Sequence, residues 1–135
     1  MEVGDDISVY AQFPISSEKS ETRLVTIEPA PFQQAMKCHL TTMRLLDHRR
    51  PAFEALSYVW GDSSKAKMIR LDGHLFGVTE NLAAALQYLR SPSEERVVWI
   101  DAICINQRDK SERSAQVRLM GDIYRSATRV ISWLG

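Results

Sequence analysis

Polar and aromatic side chains follow two apolar stretches of this sequence, at the point where each stretch ends. The first begins at Phe53 and runs into Ser57-Tyr58-Val59-Trp60-Gly61-Asp62, and the second begins at Val97 and runs to Gln107. Both are rich in β-branched or aromatic residues, a composition that predicts buried strands. If these strands run parallel, their polar groups meet at the carboxyl edge of a sheet, where sites form in open α/β sheets. The candidate functional edge consists of Ser57, Tyr58, Trp60, Gly61, Asp62, Asp101, Asn106 and Gln107.

These residue types suit a small-molecule pocket. Tyr58 and Trp60 would form a flat stacking wall, while the carboxylates and amides of the edge would bind hydroxyl groups or an amide. A second interpretation stays open, in which the two aromatic rings belong to the core and Asn106 and Gln107 satisfy loop backbone. Asp101 is the more informative residue, because a carboxylate inside an apolar run either bonds backbone groups or titrates abnormally.

The sequence assigns no catalytic residue. Cys104 lies between two isoleucines with no histidine nearby, which indicates a buried, inert thiol rather than a nucleophile. Glu112 stands three residues after Asp109, a spacing that predicts a helix capping box. The three histidines and two cysteines show no metal-ligand spacing, and there is no glycine-rich phosphate loop, Ser-His-Asp arrangement or HExxH motif. We therefore expect no metal site.

The composition is that of a single globular domain. The 135 residues are 44% hydrophobic and 25% charged, and 17 basic residues balance 17 acidic ones. This balance, without a basic cluster, disfavours a nucleic-acid surface. No apolar run is long enough to span a bilayer, and the N-terminus lacks the apolar core of a secretory signal. The two cysteines are far apart in apolar segments, so we expect them to be reduced, in a cytoplasmic protein.

The pattern of elements predicts an α/β fold, with a mainly parallel sheet, a β-hairpin insertion and an N-terminal β extension. Asp72-Gly73 supplies the positive φ angles of a type I′ turn, so Leu71 should pair with His74. Thr79 and Asp109 should cap two helices, the second of which carries Val117, Met120, Ile123, Tyr124 and Ala127 inward. We predict a flexible leader at 1–21, strands at 23–28, 36–46 (where a helix is the alternative) and 53–60, a hairpin at 68–78, a helix with its apolar stripe at 82–89, and strands at 97–105 and 129–134.

Three ordered segments resemble the signatures of the fungal heterokaryon incompatibility (HET) domain. They are 53–62, 99–107, and 112–120 together with 123–124 and 130–135. The linking segments 71–73 and 78–82 also fit. The resemblance covers about 22–135, with the signature core at 53–135, and leaves the leader outside.

The HET resemblance implies a cytoplasmic module of fungal vegetative incompatibility. Such a domain triggers programmed cell death after non-self recognition, a form of innate immunity, and works through signalling assembly. The partners implied are other HET/TIR-like or NLR-type signalling proteins, with self-association as a further mode. Nucleic acid and a membrane span are not expected.

HET domains are in turn distantly similar to TIR domains, which implies a TIR-like (flavodoxin-like) sheet. In that fold 53–60 would be the first strand, 82–89 the first helix, 99–105 the second strand and 130–134 the third. TIR enzymes cleave NAD with a glutamate on the helix after the third strand, so NAD is the implied cofactor or substrate. That helix would lie beyond Gly135, so no residue here takes the glutamate's role and enzymatic activity stays open.

Three functional hypotheses follow. The leading one is a HET-domain effector of incompatibility. The second is a TIR-like NAD-cleaving or nucleotide-binding enzyme whose pocket is formed by Tyr58, Trp60, Asp62, Asp101 and Asn106. The third is a truncated, inactive or dominant-negative HET fragment, because the sequence ends directly on a predicted strand with no helix after it.

Overall fold

The computed structural model describes residues 6–59, 64 and 67–134. Within these residues the chain forms seven strands and four helices. In chain order they are α1 (Asp6–Ala11), β1 (Glu21–Ile27), β2 (Lys37–Arg44), β3 (Glu54–Tyr58), β4 (Lys67–Leu71), β5 (His74–Val78), α2 (Glu80–Leu89), β6 (Arg96–Ile100), α3 (Asp101–Cys104), α4 (Lys110–Ser126) and β7 (Arg129–Trp133).

The strands form one mixed sheet in the order β5-β4-β2-β1-β6-β3-β7. β3 is parallel to β6 and β7, and β2 is parallel to β4, whereas β1 is antiparallel to both β2 and β6, and β4 is antiparallel to β5. The predicted α/β class is confirmed, but the prediction of a mainly parallel sheet is wrong. The β1–β2 and β4–β5 connections are too short for a crossover, so these neighbours must be antiparallel.

The parallel part of the sheet is β6-β3-β7, and its two crossovers contain α2 and α4. Along the chain these strands come second, first and third, which is the order at the start of a flavodoxin-like sheet. The other four strands extend the sheet with antiparallel pairs that such a fold does not contain. The TIR-like part of the prediction is therefore not confirmed.

The hairpin between β4 and β5 has the predicted turn and register. Asp72 and Gly73 have φ values of 50° and 82°, as a type I′ turn requires. Leu71 pairs with His74, and the next apolar pair of the ladder follows the same alternation. The strand preferred at 36–46 is also confirmed, as β2.

The strand predicted at 97–105 is wrong beyond Ile100, where β6 ends and the chain turns into α3. The backbone N–H of Ile105 donates to the Asp101 carbonyl at 3.2 Å, which closes a helical turn. The backbone N–H of Ile100 donates to the Cys104 sulfur at 3.4 Å. A short apolar run does not distinguish a buried strand from a buried helical turn, and here it contains both.

Both predicted helix caps are present. The Thr79 hydroxyl accepts from the Leu82 N–H at 3.1 Å, and the Asp109 carboxylate accepts from the Glu112 N–H at 3.0 Å. The predicted inward stripe of α2 is confirmed, since Leu82, Ala85, Leu86 and Leu89 are all buried. On α4 the inward prediction is wrong for Val117, which is 58% exposed.

Gln116, a polar residue, is buried on α4 instead. Its side chain accepts from the Thr22 hydroxyl at 2.6 Å and donates to the Glu21 carbonyl at 2.8 Å. The Trp99 indole N–H donates to the same Thr22 hydroxyl at 3.0 Å. This chain of bonds joins α4 to β1 and β6, and it rotates α4 so that Val117 faces outward.

The segment expected to form a flexible leader places Val9 and Tyr10 in the core. The Tyr10 hydroxyl donates to the Ile103 carbonyl at 2.6 Å. Its ring meets that of Phe76 edge to face, with centroids 6.2 Å apart, so α1 packs against β5 at one side of the sheet.

An ion cluster joins the amino ends of the three parallel strands. Glu54 of β3 binds Arg96 of β6 at 2.7 Å and Arg129 of β7 at 2.7 Å. Hydrogen bonding to Arg96 is the main cause that lowers the pKa of Glu54. No helix in the described ranges combines the length and apolar composition needed to cross a membrane.

Candidate functional site at the carboxyl edge of the sheet

The carboxyl ends of β3, β6 and β7 lie at one edge of the sheet. β3 pairs with β6 in parallel up to Ile100. Asp101 follows Ile100 in the chain, so it lies beside Ser57 and Tyr58. On its other side, Tyr58 is the register partner of Trp133. We call Ser57, Tyr58, Asp101 and Trp133 the carboxyl edge.

Trp60, Gly61 and Asp62, three of the residues predicted for this site, lie outside the described residues. The structure therefore places Ser57, Tyr58 and Asp101 together and leaves the remainder of the first segment undescribed. Ser57 is exposed, whereas Tyr58 and Asp101 are partly buried.

The charge of the carboxyl edge resides on Asp101. Burial raises the pKa of this carboxyl, against the lowering effect of the backbone N–H groups of Asp101 and Ala102. Burial also raises the pKa values of the Tyr58 and Tyr124 phenols, and the nearby Asp101 charge raises both further. A carboxyl group and two phenols thus share a poorly hydrated region. In its ionised form the carboxyl group accepts hydrogen bonds from ligand hydroxyls, while the phenol O–H groups donate hydrogen bonds.

Asn106 and Gln107 use their side chains on the loop backbone. Gln107 donates to the Asp101 carbonyl at 2.9 Å, and the Asn106 side-chain oxygen accepts from the Arg108 N–H at 3.2 Å. These contacts agree with the second interpretation of the two amides, in which they shape the loop after α3. Gln107 in particular holds the backbone of Asp101 at the start of α3.

An aromatic wall flanks the edge on the β7 side. The Trp133 indole N–H donates to the Asn81 side-chain oxygen at 3.1 Å, and the Asn81 amide donates in turn to the Val59 carbonyl. The Tyr88 ring lies 5.2 Å from the Trp133 ring, between centroids, and is 69% exposed. Reasoning from strand ends omitted Trp133, Asn81 and Tyr124 from the site, although the register of β7 with β3 could have pointed to Trp133.

A buried ion pair supports the loop that follows Asp101. Arg23 of β1, 2% exposed, forms two hydrogen bonds with Glu112 of α4, at 2.8 and 3.0 Å. The same guanidinium donates to the Cys104 carbonyl at 3.0 Å. Glu112 also accepts from the Asn106 N–H at 2.6 Å. The predicted capping box is therefore wrong in its second half: the Glu112 carboxylate turns to Arg23 and Asn106, since an ion pair outweighs a bond to one exposed N–H.

Cys104 is fully buried, and burial raises the pKa of its thiol to about 12. At neutral pH the sulfur is a thiol, which accepts a backbone hydrogen bond and is a poor nucleophile. Across the described parts of the chain, no group of three His, Cys, Asp or Glu side chains is placed to hold a metal ion.

Glu112→Gln should lower the free energy of unfolding by about 3 kcal/mol, because it leaves the buried Arg23 charge without its counter-charge. Urea denaturation at neutral pH measures this loss. Glu94→Gln, at an exposed position away from any helix or strand, is the matched control and should change stability by less than about 0.5 kcal/mol. Equal stabilities of the two variants would contradict a structural role for the pair.

Asp101→Asn should stabilise the protein at neutral pH relative to the wild type, with an advantage that shrinks as the pH falls. The folded-state pKa of Asp101 is raised, so ionisation of this carboxyl costs stability as the pH rises above its ordinary value of about 3.9. The difference in unfolding free energy between the two proteins, measured from about pH 4 to pH 7, isolates this carboxyl from all others. A difference that is constant with pH would contradict the burial of Asp101.

Comparison with known proteins adds the family context of this edge. A model of the heterokaryon incompatibility protein family matches residues 53–135. The chain is also 38% identical, over 140 aligned positions, to "Heterokaryon incompatibility protein 6, OR allele" of Neurospora crassa. That alignment covers 93% of this chain and 20% of the relative, so the chain spans about a fifth of the relative's length.

No solved structure matches the chain. The family match begins at the first residue of the β3 signature segment and includes β3, β6, α4 and β7, the elements that build the carboxyl edge. The resemblance of the three signature segments is thereby confirmed, and the chain belongs to the heterokaryon incompatibility (HET) family.

Proposed function

We propose that this chain acts in fungal heterokaryon incompatibility, as the HET domain that triggers cell death after non-self recognition. The observation that carries the proposal is the family match over 53–135, supported by the 38% identity to a protein named for incompatibility. The proposed domain runs from about residue 22 to residue 135. It works within a signalling assembly in the cytoplasm, through contacts with other HET/TIR-like or NLR-type proteins or with further copies of itself.

The carboxyl edge is the surface proposed to transmit this activity. It contains an exposed hydroxyl and a half-buried carboxyl, and the aromatic wall of Trp133 and Tyr88 flanks it, with Tyr88 largely exposed. Exposed aromatic side chains beside a few polar groups favour recognition, because they offer large contact area with little loss of conformational freedom.

Asp101→Asn, expressed within the full-length protein in a fungal host, should abolish most of the killing while the protein remains folded. The change keeps the size of the side chain and removes the negative charge that raises the pKa values of the Tyr58 and Tyr124 phenols. Viable colonies after induced expression measure the killing, with protein level and thermal unfolding measured in parallel. Glu94→Gln is the control and should kill like the wild type. Undiminished killing by a folded Asp101→Asn protein would overturn the role of the edge.

A second candidate function is TIR-like binding or cleavage of NAD. One observation favours it: in the order β6-β3-β7 the two strands that follow β3 along the chain lie on opposite sides of it, and ligands of open α/β sheets bind at such a switch point. Tyr58 and Trp133 lie opposite each other there. A planar ring would stack on the aromatic wall, and Asp101 would accept from ribose hydroxyls. The Asp101 charge disfavours a phosphate at the same position, so the pyrophosphate would lie outside this group of residues.

Titration of the purified protein with NAD tests this second candidate. We expect saturable binding, weakened about tenfold by Trp133→Ala, since stacking of a base on an aromatic ring is worth about 1–3 kcal/mol. Phe32→Ala, which removes an aromatic ring that is 73% exposed elsewhere on the surface, should leave the affinity unchanged. Absence of both turnover and saturable binding would exclude NAD as the ligand.

A further inference from the structure

His39 of β2 lies between two carboxylates that come from different parts of the sheet. Its Nε2 contacts Glu28, which follows β1, and its Nδ1 lies 3.3 Å from Asp72 in the turn between β4 and β5. Asp72 also accepts from the Leu40 N–H, through its other carboxylate oxygen, at 2.8 Å. Three titratable groups therefore join β1, β2 and the β4–β5 turn.

The geometry of the imidazole depends on its charge. A neutral ring has one N–H donor and one lone pair, so it donates to one carboxylate and turns a lone pair towards the other. The protonated ring has two N–H donors, and both carboxylates are then satisfied. In the structure a carboxylate oxygen lies beside each ring nitrogen, the arrangement in which the charged ring satisfies both carboxylates.

The His39 cluster lies on a seam with few backbone contacts. Among the residues that the structure describes, β2 and β4 share two register pairs, Lys37 with Arg70 and Cys38 with Leu71. Two further backbone bonds extend the seam, from the Arg70 N–H to Met36 and from the Asp72 N–H to Cys38, at 2.9 and 3.0 Å. With so short a ladder, the side-chain bonds of Asp72 form a large part of the polar attachment of the hairpin.

We propose that His39 is a pH-sensitive latch, whose protonated ring fastens the turn of the β4–β5 hairpin to β1 and β2 and whose deprotonation loosens this seam. Two further charged side chains, Lys37 and Arg70, line the same open cavity of about 300 Å³ with Glu28, Cys38, His39 and Gly73. Arg70 donates to the Gly73 carbonyl at 3.3 Å. The Cys38 thiol stays protonated across the working range, because burial raises its pKa to about 12.

The direction of the switch follows from the shift of the His39 pKa. Burial acts to lower this pKa, but the hydrogen bonds to Glu28 and Asp72 and their negative charges outweigh burial and raise it above its ordinary value. A group whose folded-state pKa is raised stabilises the fold fully below its unfolded pKa of about 6.5, and this contribution is lost as the pH rises through the folded-state pKa. The seam therefore weakens as the pH rises above about 6.5 and through the folded-state pKa of His39.

The first test is the hydrogen-exchange protection of the Leu40 amide, which donates to Asp72. In the wild type we expect its protection factor, corrected for the intrinsic exchange rate, to fall at least about threefold as the pH rises from about 6 through the titration midpoint of the His39 ring. In His39→Gln it should not change with pH, because glutamine does not titrate. The Val98 amide of β6 is the internal reference and should keep its protection in both proteins. A fall of the same size in His39→Gln would overturn the latch.

The second test uses the carboxylates. Glu28→Gln with Asp72→Asn removes both charges, and the turn is retained because Asn-Gly suits a type I′ turn as well as Asp-Gly does. The titration midpoint of the His39 ring, followed by NMR, should be lower in this double variant than in the wild type. Equal midpoints would show that the carboxylates do not hold the proton and would overturn the proposal.

Discussion

One buried guanidinium connects parts of this structure that are far apart in sequence. Arg23 donates to the Phe13 carbonyl at 2.7 Å, to the Cys104 carbonyl and to Glu112, and its carbon lies 4.7 Å from the centre of the Tyr10 ring. Burial of a lone positive charge would be prohibitive, so its environment must supply a counter-charge and acceptors around the planar fork. The amino-terminal segment, α3 and the start of α4 are each held at a position that meets this requirement.

The carboxyl edge depends on this arrangement indirectly, through the loop after α3. Glu112 receives the Asn106 N–H as well as Arg23, which fixes the loop after α3, and Gln107 of that loop holds the Asp101 carbonyl. The position of Asp101 beside Tyr58 thus follows from a salt bridge that neither residue touches. At the amino ends of the parallel strands the ion cluster around Glu54 makes the connection directly, because its three members lie on β3, β6 and β7 themselves.

Features determined by neighbouring residues could be predicted from the sequence, and features determined by distant ones could not. The Asp72-Gly73 turn and the Thr79 cap follow from local backbone chemistry, and both are present. The bond between Glu112 and Arg23 spans 89 positions, and no spacing rule signals it. The wrong end of β6 arose because apolar composition reports burial rather than backbone conformation.

The sequence did not indicate that β1 lies between β2 and β6 in the sheet. The alternation of strands and helices along 53–134 predicts the parallel strands well. However, β1, which comes before residue 53, lies antiparallel beside β6 and joins the sheet to β2. In the candidate site, the approach of Tyr58 and Asp101 was predictable from parallel strand ends. The contribution of Trp133 required the register of a third strand, and the use of Asn106 and Gln107 on loop backbone required the actual course of the chain.

The central place of β1 has a consequence for how the chain reaches this fold. β6 is the inner neighbour of β1, so the sheet cannot be completed until residues about 70 positions apart have met, and such non-local pairing slows folding. The family match starts at residue 53, after β1 and β2. A polypeptide beginning there would present an open, apolar β6 edge to other chains and would leave Glu112 without Arg23. Strands that precede the family signature thus protect that signature from aggregation.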